Sequence, residues 1–577
     1  MHLGTTAEVK PVRIQLRDLL CVSFTQSGKK LIQKIGSKLL WLMVLLALVT
    51  AVLALISPWY LLAELLFIPL VLLGVWDFTQ KHHSILRNFP ILGHFRFLLE
   101  DLGPELHQYL VEDNTDGKPF DRDTRSLMYR RAKGVADEKP FGTEKDVYDQ
   151  EYAWMAHSIA PHPVVENAGQ NMRITIGGPD CTQPYSSSIL NISAMSFGAL
   201  GSAAVQAMNL GAKKGGFAHD TGEGGISRYH REHGGDLIWQ IGTGYFGCRN
   251  EQGGFDPDQF AAQATNPQIK MIEIKLSQGA KPGHGGILPA AKVTEEIAEA
   301  RQVPVGKTVF SPTYHQAFSD PKGLCAFIGR LRELSGGKPV GFKLCVGHPL
   351  ELMAIAHAII DTGICPDFIV VDGGEGGTGA APLEFSDSMG FPLQPALVLV
   401  NNIMVGAGIR HKMKIGASGK MVTASAIASS MALGADWCNS ARGFMFAVGC
   451  IQSQKCQTNT CPVGVTTQNP KLQRALVVPD KATRVHQFHD NTVGALAEMI
   501  AAMGLDHTSQ LDPSMIFKRF SDGKIDAISH HYQLLSADCL VNGTAPEMSQ
   551  LGWDVSTSDN FMPPGLPQSG VPLTPAQ

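Results

Sequence analysis

Phe368-Ile369-Val370-Val371-Asp372-Gly373-Gly374-Glu375-Gly376-Gly377-Thr378-Gly379 reads as a short apolar strand running into a glycine loop. A buried strand that ends this way delivers backbone to a site where a side chain would be in the way. Seven more runs of this kind are spaced along the chain: Ile192–Ser196, Phe217–Asp220, Leu237–Ile241, Met271–Leu276, Val340–Val346, Met413–Ala417 and Ala435–Asn439. Helical stretches separate them, which argues for a parallel sheet, and eight such strands close a (β/α)8 TIM barrel. Chemistry in such barrels sits where the strands end, and most of the glycine-rich motifs begin there. The longest insertion, about Gln278 to Pro339, is expected to pass over the site.

Two strand ends carry phosphate-binding character. Ser418-Gly419-Lys420 follows the seventh strand and Arg442-Gly443 the eighth. These are the loops where barrels often hold phosphate, with glycine N–H groups and a cation. The alternative is ordinary loop glycines beside solvated cations. Lys275 ends the fourth strand and Lys281 opens the next loop. Both are placed to meet a carboxylate or an anionic cofactor edge, unless they are simply surface cations. No G-x-G-x-x-G stands between a strand and a helix, so no NAD(P)H domain is expected and electrons must come from a separate protein or carrier.

Cys450, Cys456 and Cys461 occur at i, i+6 and i+11 in one irregular segment, 449–464. The spacing suits neither a zinc ribbon nor a thioredoxin-type dithiol. It suits an iron–sulfur cluster with three protein ligands, a 3Fe-4S centre, or else three buried free thiols. The chain has 11 cysteines in 577 residues, which is no disulfide framework and points to a reducing compartment. Hydrophobic residues make up 44% and charged residues 17%, which excludes disorder; a net charge of −4 argues against nucleic-acid binding.

Leu39 to Trp76 holds one charge, Glu64, and is divided by Ser57-Pro58. Leu39–Ile56 and Tyr60–Trp76 are each close to the minimum length of a membrane span. Lysines 29, 30, 34 and 38 precede them, and Lys81, Arg87 and Arg96 follow. The expectation is a transmembrane helical hairpin with both ends, and the catalytic domain, in the cytoplasm. The expected divisions are a basic tail 1–38, the hairpin 39–77, a linker and helical extension 78–170, the barrel 171–530, and a tail 531–577.

Gly449-Cys450-Ile451-x4-Cys456-x-Thr458-Asn459-x-Cys461-Pro462-Val463-Gly464-Val465-x-x-Gln468 resembles the cluster loop of the flavin-containing domain of glutamate synthases. Ser193-Ala194-Met195-Ser196-Phe197-Gly198 resembles that family's flavin-side loop. Thr221-Gly222-Glu223-Gly224-Gly225, Lys281-Pro282-Gly283-His284-Gly285-Gly286-Ile287-Leu288-Pro289 and Asp372–Pro382 resemble its active-site loops. The resemblance implies FMN and a 3Fe-4S cluster. It implies that Ala194, Met195, Ser196, Lys275, Gly373, Gly374, Ser418, Gly419, Lys420, Arg442 and Gly443 hold the flavin. It implies that Lys281 and Arg301 bind the substrate carboxylates, and that Lys275, Lys281 and Glu223 are catalytic, Glu223 near ammonia delivery. Ser311-Pro312-x-x-His315 also resembles a family segment, with His315 read as structural.

The expected reaction is reductive amination of 2-oxoglutarate. With no amidotransferase segment in the sequence, ammonia is expected from solution or a partner. His284, Ile287 and Ala290 replace the family's usual Glu, Gln and Gly, so selectivity can differ. Two alternatives stand: a membrane amino-acid or amine dehydrogenase passing electrons to a quinone, and a non-catalytic electron-transfer subunit.

Overall fold

The computed structural model describes residues 26–563, with side chains from Lys38 onward. Most of the expected basic tail, and the proline-rich end from Pro564, lie outside the described residues. The chain divides into two compact units, residues 1–112 and 113–577.

In the first unit, helix Gln26–Leu53 begins well before the apolar run and Leu61–Thr79 follows it. Ser57 is extended and Pro58 opens a short turn, so the helix breaks where the sequence places the break. The helices pack closely: a Cβ on Gly74 would lie 2.5 Å from Leu40 Cδ1. Glu64 is not left bare, because Thr50 donates its hydroxyl to it. Asp77, fully buried, accepts from the Ile91 N–H at 2.9 Å and pairs with His94 Nε2 at 2.9 Å. Pro58–Thr79 is long and apolar enough to cross a membrane, whereas the apolar part of the first helix, Lys38–Leu53, is shorter.

In the second unit, eight parallel strands close a barrel: β1 Leu190–Ile192, β2 His219–Asp220, β3 Leu237–Ile241, β4 Ile269–Lys275, β5 Val340–Leu344, β6 Phe368–Asp372, β7 Lys414–Ser418 and β8 Trp437–Ser440. Alternation decides what faces inward. On β6, Ile369 and Val371 pack outward into the main core with the surrounding helices, and Phe368 and Val370 join a separate inner cluster. That cluster also takes Ala218, Ile238, Met271 and Trp437, all near the N-terminal ends of their strands. The hairpin Arg173–Ile176/Tyr185–Ser188 contributes Ile176 and Tyr185 and seals this end. Each large side chain buried here contributes about 1.5–3 kcal/mol.

Three expectations shift. The first strand is Leu190–Ile192, not Ile192–Ser196. Residues 193–196 leave the sheet to pass against Gly222, whose added Cβ would lie 2.7 Å from Ser196 N. The insertion over the site ends earlier than Pro339, because Pro321–Leu334, capped by Asp320 with Pro321 in its first turn, is the helix between β4 and β5. Its remainder forms the hairpin Ile287–Leu288/Val309–Phe310 and helix Glu295–Arg301. Within 531–577, expected as a tail, helix Glu547–Val555 buries Trp553, which stacks on His357 at 3.7 Å.

Candidate active site

The same alternation that fills the bottom of the barrel with apolar groups lines its upper half with charge. Above Met271 on β4 come Glu273 and Lys275; above Val370 on β6 comes Asp372; β5 adds Lys343, paired in register with Lys275. Two inward lysines side by side repel, so carboxylates must surround them. Lys275 Nζ pairs with Glu223 Oε1 at 2.8 Å, and Lys343 Nζ lies 3.8 Å from Asp372 Oδ2. Gln240 donates to Glu273 at 2.6 Å.

Burial and the neighbouring Glu273 raise the Asp220 pKa well above the usual carboxylate value; burial raises Glu273 as well. Adjacent buried carboxylates cannot both ionise cheaply, which is why Glu273 disfavours the charge of Asp220. Burial opposes the charge on Lys343, but Asp372, Glu273, Asp220 and Glu223 outweigh it and raise its pKa.

Glu223, Lys275, Lys281 and Arg301 meet at one mouth. Burial works against ionising Glu223, yet Lys275, Arg301 and Lys281 bring its pKa below the usual value. The carboxylate is hemmed in by glycine: a Cβ on Gly242 would come within 2.5 Å of Oε2, and one on Gly286 within 2.7 Å of Oε1. Lys281 is 4% exposed, and its ammonium has no hydrogen bond or ion pair among the described residues. Burial, with the charge of Lys275, lowers its pKa. Arg301 is buried beneath the β1 loop, donating from Nη2 to Ser196 Oγ and the Phe197 carbonyl, both at 3.2 Å, with its guanidinium 5.2 Å from the Phe246 ring centre. Among the described residues its Nε is buried without a partner. His315 bonds the Lys275 carbonyl at 2.9 Å and Tyr245 Oη at 3.2 Å, so it supports Lys275 from below.

A second group gathers at the ends of β6, β7 and β8. Gly419, at φ +140°, lies against Gly373, whose N–H bonds the Ser418 carbonyl at 2.8 Å. Gly374 N–H bonds the Phe391 carbonyl at 2.8 Å. Ser418 Oγ donates to Asp372, whose other oxygen accepts from Gly279 N–H at 2.8 Å, drawing the β4 and β6 loops together. Lys420 and Arg442 flank one ring, at 6.0 and 5.0 Å from the centre of Phe120. Arg442 donates to the Glu375 carbonyl at 2.8 Å, and Gly443 packs against Ser440 and Phe488. Burial lowers the pKa of both cations, and for Lys420 Arg442 adds to it. Two partly desolvated cations side by side suit a phosphate, whereas the Gly373 and Gly374 N–H groups are already committed to the Ser418 and Phe391 carbonyls.

The cysteine loop is irregular, with Gln452, Gln454 and Asn459 all at positive φ. Non-glycine residues rarely adopt that region, so surrounding contacts must hold the backbone there. Burial raises the pKa of Cys450, to about 12, and of Cys456. At Cys461 burial acts the same way, but hydrogen bonds from Thr466, Val463 and Val465 outweigh it and lower the pKa. Among the described residues no group of three ligand side chains is close enough for a single metal ion. Three thiols within electrostatic reach of one another, with N–H donors on sulfur, form a donor set that fits a cluster.

The sequence pattern missed Phe120, which comes from the presumed linker, and the inner charges Asp220, Glu273 and Lys343. Ala194 and Ser196 are half-buried at the mouth, with buried Met195 between them.

Fold and site define a (β/α)8 barrel with a cationic mouth suited to carboxylates and a phosphate-suited rim. A family model described as the conserved region in glutamate synthase matches residues 171–506. The chain belongs to the glutamate synthase family. It is 38% identical over 509 residues to the glutamate synthase large subunit-like protein YerD of Bacillus subtilis, covering 81% of this chain and 96% of that one. It is 34% identical to the archaeal glutamate synthase [NADPH] of Archaeoglobus fulgidus over 55% of this chain and 59% of that one. Against the glutamate synthase [NADPH] large chain of Azospirillum brasilense it is 32% identical over 54% of this chain and spans only 20% of the relative.

Proposed function

We propose that this protein is an oxidoreductase of glutamate synthase type that reductively aminates 2-oxoglutarate, with FMN and a 3Fe-4S cluster as cofactors. The observation that carries the reading is the mouth itself. A Glu223 carboxylate, held charged by Lys275, and a buried Lys281 lie within electrostatic reach of each other, in a chain of this family. FMN, when bound, supplies hydride to carbon, and the cluster supplies single electrons from a separate donor.

The chain's residues do the rest. Lys281 and Arg301 hold the substrate carboxylates, Lys281 with an ammonium that has no hydrogen bond or ion pair among the described residues and Arg301 from behind Ser196. Glu223 can hold an arriving ammonium ion by ion pairing, because Lys275 keeps its carboxylate charged. Lys343 and Lys275 place positive charge under the reacting centre, and Lys420 with Arg442 takes the phosphate. Arg301's carboxylate role is the most constrained, because Nη2 already serves the β1 loop.

The test is the flavin spectrum under anaerobic conditions. Reduced protein should reoxidise on 2-oxoglutarate plus ammonium and not on either alone. If it stays reduced while oxidised protein bleaches on an amino acid, the dehydrogenase reading replaces this one. One observation favours that second reading: the apolar helix Pro58–Thr79 supports a membrane anchor close to a quinone pool. We read it, with the shorter apolar helix Lys38–Leu53, as a two-pass hairpin with both ends cytoplasmic, on the basic residues that flank the pair in the sequence. Reporter fusions before Lys38 and after Arg96 should then report the same side; opposite sides leave one span.

A further inference from the structure

Lys292 lies where the loop that begins at Lys281 turns into helix Glu295–Arg301, and it is 2% exposed. Its ammonium donates to three backbone carbonyls: Cys456 at 2.7 Å, Thr466 at 2.8 Å and Ala199 at 3.2 Å. Those carbonyls belong to two segments far apart in sequence. Ala199 sits three residues past Ser196 in the loop after β1, and Cys456 and Thr466 bracket Cys461 in the cysteine loop. One side chain therefore ties the substrate-side loop, the β1 loop and the cysteine loop at a single point.

Lys292 has no carboxylate within ion-pair distance among the described residues. A cation buried on neutral carbonyls alone is expensive unless a negative charge is near. Burial works against the Lys292 charge and lowers its pKa to about 8, while the sulfurs of Cys456 and Cys461 favour it. Asn459 adds a second tie nearby, donating to the Ala291 carbonyl at 3.2 Å.

We infer that Lys292 is a positioning residue that clamps the cysteine loop to the β1 loop and raises the reduction potential of the centre that Cys450, Cys456 and Cys461 hold. The inference rests on reading those cysteines as cluster ligands. The physical reason is simple: taking up one electron makes the centre more negative by one charge, and a fixed adjacent cation favours that state. No proton or co-reactant is needed for the step.

The test compares parent, Lys292→Arg and Lys292→Gln, purified anaerobically as full-length holoprotein. Iron per chain is measured first, then the midpoint potential by redox titration followed with electron paramagnetic resonance. Lys292→Gln keeps hydrogen-bond donors but not the charge, so it should retain flavin and shift the potential downward. Lys292→Arg should hold the potential near that of the parent. Equal potentials in parent and Lys292→Gln overturn the inference. So does a shift in Lys292→Arg as large as that in Lys292→Gln. A parent without iron defeats the cluster reading itself, a distinct result.

Discussion

Replacing Glu223 by Gln should separate stability from substrate affinity at this site. The substitution keeps the shape of the side chain but removes its charge, leaving Lys275, Lys281 and Arg301 to repel one another. The side chains of Lys275 and Glu223 are 10% and 19% exposed and 2.8 Å apart. Breaking a fully buried pair costs about 3–5 kcal/mol and breaking a surface pair less than about 1. The partial exposure places this pair between them, at about 2–3 kcal/mol. A dicarboxylate should do the opposite, because it no longer faces Glu223. Relieving one nearby like charge at a partly screened site is worth about 1–2 kcal/mol, a five- to thirtyfold gain in affinity. The assay is thermal unfolding of the holoprotein with and without 2-oxoglutarate, alongside a substrate titration by flavin absorbance. Glu223→Gln should melt lower than parent alone, recover most of the loss with the keto acid, and turn over poorly. An unchanged melting temperature together with unchanged affinity would refute the ion-pair argument.

Lys281→Ala and Arg301→Ala should each weaken keto-acid binding about ten- to a hundredfold, the worth of one charge-assisted hydrogen bond, while flavin content stays at the parent level. Loss of flavin from either would move the phosphate site to their end of the mouth. Because burial and Lys275 lower the Lys281 pKa, its ammonium is lost as pH rises, at a pH below the ordinary lysine value of 10.5. The alkaline limb of kcat/KM should reflect this and move upward in Lys281→Arg; a limb that ignores the substitution assigns it to another group. Asp367→Ala should destabilise the barrel strongly. It strands Arg332, whose Nη2 lies 2.9 Å from the buried carboxylate, and leaves the Val340 N–H without its 2.8 Å acceptor. The cost is about 3–5 kcal/mol, eased by Asp180 at 3.6 Å, and is read as a lower melting temperature with normal cofactor content.

Much of the barrel was legible because parallel strands buried on both faces read as short apolar runs. Leu237–Ile241 and Phe368–Asp372 match their expected bounds residue for residue. Ser193–Ser196 misled because apolar residues there serve a loop wedged against Gly222, and composition does not separate a strand from a buried loop. Pro321–Leu334 was absorbed into the insertion, although Asp320-Pro321 is a helix start that could have been read. At the site, the gathering of Lys275, Lys281 and Glu223 was legible from the strand end that carries the first and the loops that carry the other two. Lys343 and Glu273 were passed over because they sit inside apolar strands, and only barrel closure turns that face into a charged interior. Phe120 carried no local signal. Its place beside Arg442 depends on a contact between residues more than 300 apart in the chain.

The hairpin that stoppers the barrel, with Ile176 and Tyr185 wedged among Phe368, Met271 and Trp437, makes the interior a cul-de-sac. On the proposed reading, substrate and product then share the rim between the strand ends, so departure past Lys281 and arrival would be queued, and whatever slows departure at that threshold would slow the whole cycle.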